Sequence, residues 1–83
     1  MLLVQFGFVP PPHATVLIRV RGEKLNVARG RVRAQAHEFV SDIVREAAIT
    51  KGFIAVTPAK RVFFSREIPR SIHQRLRNVL LNF

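Results

Sequence analysis

The sequence predicts an α+β fold, a ββαββα two-layer sandwich in which a four-stranded antiparallel sheet carries two helices on one face. Three observations lead there: alternating apolar residues that reverse direction in each half, a three- and four-residue apolar spacing after each reversal, and a match of the chain onto itself at an offset of 36 residues.

The chain opens on an apolar arm, Met1–Val9, followed by Pro10-Pro11-Pro12. Three prolines remove backbone donors and favour an extended polyproline segment, so the arm is read as separate from the domain that begins at residue 14. A membrane-spanning helix needs ~20 apolar residues and a secretory signal needs a basic start and a small-residue cleavage site; the arm has neither. An added edge strand, a shortened anchor and a start-site artefact are its three readings.

From Val16 to Arg21, apolar Val16, Ile18 and Val20 alternate with Leu17, Arg19 and Arg21, the pattern of a half-buried strand. Gly22-Glu23 turns the chain, and Lys24–Arg29 forms the second strand, with Leu25 and Val27 on one face. From Ala36 onward, Phe39, Val40, Ile43, Val44, Ala47 and Ala48 recur at helical spacing, predicting an amphipathic helix of about 15 residues with Gly52 soon after its end. The second half repeats this grammar. Strand Phe53–Val56, turn Thr57–Lys60 and strand Arg61–Ser65 lead to Pro69 at the first helical position, then to a stripe of Ile72, Leu76, Val79, Leu80 and Phe83. Arg70, His73, Gln74 and Arg77 fall on the wet side of that helix.

Slid by 36 residues without gaps, Leu17–Val44 lies over Phe53–Leu80, with Ile18 on Ile54, Val20 on Val56, Lys24 on Lys60, His37 on His73 and Val40 on Leu76. Only four of those 28 pairs are identical, so duplication rests on pattern. A lone hairpin with one helix could not bury its helix stripe, whereas two such units together could. The expected inward face is Ile18, Val20, Leu25, Val27, Ile54, Val56 and Phe63. The expected open face is Leu17, Arg19, Arg21, Lys24, Phe53, Lys60, Val62 and Phe64. Leu17, Phe53 and Phe64 are its apolar candidates, for base stacking, for pairing with a second copy, or for cover by the arm.

The chain carries 14 basic and 5 acidic residues, a net charge of +9, and 11 of the 14 are arginine. The planar guanidinium fork suits phosphate, so the bias points to nucleic acid or another polyanion. Arg19, Arg21, Arg29, Arg31, Arg33, Arg61 and Arg66 are the candidate anion-binding residues. A homodimer through the open face is the structural alternative, and a peripheral membrane protein using arm and basic surface together is a third. Absence of cysteine excludes disulfides, thiolate zinc sites and a cysteine nucleophile, and makes a cytoplasmic location the default expectation. Glu38, Asp42 and Glu46 form one helical stripe, better suited to ion pairs with neighbours such as Arg45 than to a metal. His37 and His73 lack further ligands for zinc. With no Gly-rich phosphate loop, no His-Glu-x-x-His and no nucleophile elbow, no catalytic residue, cofactor or metal is expected.

The run Phe64–Asn78, FSREIPRSIHQRLRN, resembles the carboxy-terminal signature of the uncharacterised bacterial family named domain of unknown function 3634. The matching positions are Phe64, Ser65, Ile68, Pro69, Gln74, Arg75, Arg77 and Asn78. Upstream, VLIRVRGEKLNVARGRV is similar to the family's strand, turn and strand ending in Gly30 and Val32, so the resemblance spans about Thr15–Phe83. It implies fold and boundaries but no function. Members often carry an amino-terminal membrane anchor, where this chain has only Met1–Val9, and Arg33 stands where the family tends to have proline. Ser65, Gln74, Arg75 and Asn78 form a candidate signature site for an anion or a partner, or else bond the strand–helix loop and the helix's last carbonyls.

Overall fold

A computed structural model describes residues 13–22 and 24–82; the arm, the prolines, Glu23 and Phe83 lie outside the described residues. The elements are β1 (Val16–Arg21), β2 (Lys24–Arg29), α1 (Ala34–Glu46), β3 (Lys51–Val56), β4 (Val62–Phe64) and α2 (His73–Asn82), the last entered through a 3-10 turn at Arg70–Ile72. The sheet is antiparallel in the order β2-β1-β3-β4. This is the α+β, ββαββα arrangement the sequence predicts.

The central pair fixes the symmetry. In the β1–β3 ladder Ile18 faces Ile54, the very residues related by the 36-residue offset, and Val16↔Val56 and Val20↔Gly52 flank them as mirror pairs. A pseudo-twofold axis therefore passes between Ile18 and Ile54, both fully buried. Both helices follow the same offset, since Ala34–Glu46 lands on Arg70–Asn82, and Val40 and Leu76 are each 0% exposed at the centre of their helices. Around them Val20, Ile43, Val44, Ile49, Ile68 and Ile72 complete the core between sheet and helices.

The hairpins differ by one residue, which corrects part of the expected face pattern. In the first, Arg21 pairs with Lys24 across two loop residues, and the ladder later slips between Ile18↔Val27 and Leu17↔Arg29, leaving Ala28 as a bulge. In the second there is no bulge; Thr57 N–H donates to the Arg61 carbonyl around a three-residue loop, and Lys60 adopts φ 60°. Each hairpin thus holds one extra residue, at opposite ends, and the gapless offset fails only between them. Ile54 consequently pairs with Phe64, not Phe63. Cross-strand partners share a face, so Val62 and Phe64 join the helix-side core and Phe63 turns to the other face. Phe64 is not an open-face residue.

Local ends also depart from expectation. α1 stops in a Schellman motif, with Ala48 N–H donating to the Arg45 carbonyl and Ile49 N–H to that of Val44. Ala48 takes the left-handed position (φ 57°) that glycine usually fills, and Gly52 belongs to β3 instead. Pro69 precedes the 3-10 turn with extended ψ of 143°, one place ahead of its expected helical position.

Candidate anion-binding face

The open face of the sheet divides along the strands. Toward one end, Ala14, Leu17, Phe53 and Ala55 form a second apolar cluster with Phe63 against it, and Leu17 and Phe53 are only 5% and 6% exposed. Neither presents a ring or side-chain surface on which a base could stack. At this end Arg29 Nη1 donates to the Ala14 carbonyl at 3.2 Å, which ties the incoming chain to the edge strand.

The other end is cationic. Arg21 stands directly opposite Lys24 on β2 and Lys51 on β3, so three positive side chains lie in one row across adjacent strands, ~4.8 Å apart in strand spacing. One row inward, the half-buried Arg19 lies between Asn26 and Phe53. Like charges placed directly opposite destabilise a sheet. Among the described residues no acid forms an ion pair with any of these four cations. The acids of α1 face elsewhere: Asp42 pairs with Arg45 at 3.7 Å, and Glu46 reaches across to Arg75 on α2 at 3.5 Å.

Glu67 brings a carboxylate to this end. With Arg19, Arg21, Lys51 and Phe53 it lines a shallow cavity of about 280 Å³ at this cationic end. Its carboxyl is held below the ordinary value first by a hydrogen bond from the Ser65 hydroxyl, then by its own backbone amide, and further by the Lys51 and Arg66 charges. Ser65 is itself buried; its Oγ accepts the Phe53 N–H at 2.9 Å, while its own N–H donates to the Phe53 carbonyl at 3.0 Å. A Cβ on Gly52, where φ is 135°, would come within 2.5 Å of that Oγ, so the glycine makes room for the serine. Ser65 thus closes the β3–β4 ladder beside the cationic end.

The remaining signature residues do not converge on Ser65. Gln74 Nε2 donates to Asn78 Oδ1 at 3.0 Å along the exposed side of α2, and Arg75 makes the ion pair to Glu46. Neither residue bonds the strand–helix loop. That contact comes from His73, which the helical spacing places on the wet side: it is half-buried, its Nε2–H donates to the Ile68 carbonyl at 2.9 Å, and its ring stacks on Phe64 at 3.9 Å. Arg77 lies over the same Phe64 ring, 5.5 Å from its centre.

The other expected anion-binding residues are spread. Arg31 and Arg33 stand before α1, at the far end of the sheet from Arg21, and Arg61 lies with Lys60 and Arg77 around the second hairpin. Of the seven, only Arg21 stands in the cationic row, with Arg19 one row inward and the Arg66 charge acting on Glu67; the residues that complete the row are the lysines Lys24 and Lys51. Lys51 carries a signal only once β3 is known to start two residues before Phe53.

Fold and face together define a small α+β domain with a cation-rich sheet end and no metal-ligand cluster among the described residues. Against known protein families, curated proteins and solved structures, the chain has no match. No described helix is long and apolar enough to cross a membrane.

Proposed function

We propose that this chain is a non-enzymatic polyanion-binding domain whose contact surface is the sheet end formed by Arg19, Arg21, Lys24 and Lys51, with nucleic-acid phosphates as the ligand class. The observation that carries the reading is Arg21 placed in register between two lysines. A bound phosphate between those strands would neutralise the mutual repulsion of the row and accept charge-assisted hydrogen bonds from two or three donors at once. The buried state of Leu17 and Phe53 makes this an electrostatic surface rather than a stacking platform, so little base preference is expected.

The rival, a homodimer through the open face, has less support, because the apolar end of that face offers no exposed patch to a second copy. Salt titration of binding to a short duplex tests the proposal. Log affinity should fall with log salt at roughly 0.9 per phosphate contacted, and Arg21→Gln together with Lys51→Gln should reduce the slope by about two. Failure to bind at low salt, or an unchanged slope in the double variant, would refute it.

A further inference from the structure

A second cavity, of about 450 Å³, lies at the opposite end of the sheet and on its helix side. Its floor is apolar: Val16 and Val56 from the paired ends of β1 and β3, Val32 from the segment before α1, and Leu80 from the last turn of α2. Its rim carries the exposed guanidinium groups of Arg31 and Arg33. Such a volume falls in the range of small-ligand sites, which are mostly apolar with a few charged groups that fix orientation.

The rim is positive for a further reason. Arg33 occupies the N-cap position of α1 without a side-chain cap, the first turn has no acidic residue, and among the described residues the first helical amide bonded in this turn is that of His37, to the Arg33 carbonyl. The preceding amides and the positive end of the helix dipole therefore add to the two arginines. A polyphosphate would satisfy the rim and leave the apolar floor wet; a neutral hydrocarbon would fill the floor and leave the rim without a counter-charge.

We propose that this cavity binds a small amphipathic anion, a single phosphate or carboxylate headgroup carried on a short apolar body, independently of the polyanion-binding sheet end. Octyl phosphate is the probe, added to the isotopically labelled full chain and followed by two-dimensional NMR. Saturable shifts should be confined to the Arg31–His37 amides and the Val16, Val32, Val56 and Leu80 methyls. Octanol and inorganic phosphate should each bind at least about tenfold more weakly, and Arg31→Gln with Arg33→Gln should lower octyl phosphate affinity about tenfold. Arg19→Gln with Arg21→Gln should leave it unchanged, which separates this site from the polyanion surface. Both altered arginines before α1 are exposed, so the double variant keeps its fold, and its far-ultraviolet circular dichroism checks that. Equal binding of inorganic phosphate, equal binding of octanol, or undiminished affinity in the Arg31/Arg33 variant would each overturn the proposal. Sedimentation with anionic vesicles that is lost in the same variant assigns the headgroup to a lipid; sedimentation indifferent to it assigns a free ligand.

Discussion

The two halves of this domain share a core and differ at their hairpins. Val40 and Leu76 occupy equivalent, fully buried positions, as do Ile18 and Ile54, while the corresponding hairpin positions have diverged in chemistry. Where Arg21 extends into the cationic row of the first hairpin, the second has Thr57, which is buried and accepts the Arg61 N–H on its Oγ1 at 3.3 Å. Where Arg29 holds the Ala14 carbonyl, the second half has Ser65, which closes the ladder and hydrogen-bonds Glu67. Pseudo-symmetry is thus kept in the apolar core between sheet and helices and lost at the hairpin ends, where an exposed arginine in one half corresponds to a buried hydroxyl in the other. The cationic row lies at a place where symmetry is broken, since the twofold partner of Lys51 is Thr15.

The strongest test of the shared core is truncation at its twin positions. Leu76→Ala should cost about 2–5 kcal/mol and Val40→Ala about 2 kcal/mol, each removing side-chain volume that is fully enclosed. Chemical denaturation followed by circular dichroism measures both, because the chain has no tryptophan or tyrosine to report by fluorescence. A large cost on one helix with almost none on the other would break the twofold description.

Next in size is the contrast between Ser65 and Arg29. Ser65→Ala leaves the buried Phe53 N–H without its side-chain acceptor and should cost about 1–3 kcal/mol, whereas Arg29→Ala, at the exposed edge, should cost about 0.5–1 kcal/mol. Equal costs would show that the two ladder ends are stabilised alike.

Ala48 and Lys60 hold left-handed backbone without being glycine. Ala48→Gly and Lys60→Gly should each raise stability by about 0.5–1 kcal/mol, the relief of steric strain exceeding the added chain entropy of the unfolded state. Lys60 sharpens the comparison, because its counterpart Lys24 sits in a regular strand, and Lys24→Gly should destabilise instead.

The smallest effect concerns pH. Glu67 has its folded-state pKa lowered, so the folded chain binds fewer protons than the unfolded one as the solution is acidified. Its contribution is complete above the ordinary value of 4.5 and is lost as pH falls from there through the folded value. Glu67→Gln should flatten the acid limb of the stability curve below about pH 4.5 and lower stability near pH 7 by the same amount, which is small because the side chain is exposed and screened. An acid limb as steep as that of the parent chain would separate Glu67 from the Ser65 contact.

The amino-acid sequence by itself determined the element order, the α+β class, the 36-residue correspondence and most of the core, since periodicity is a local property that burial imposes residue by residue. Val16–Arg21 and Lys24–Arg29 read directly from alternation. Tertiary structure alone decided the facing of β4, because one residue added in a turn inverts every side chain after it, and the pattern Val62-Phe63-Phe64 is apolar in both registers. It also decided which basic residues lie together. Lys24 meets Arg21 across the local first hairpin, but Lys51 joins them only through the β1–β3 pairing, a contact between residues 30 apart that no local pattern encodes. Ser65 stood out in the sequence by its place in the signature run, but its work at Phe53, Gly52 and Glu67 depends on the same ladder.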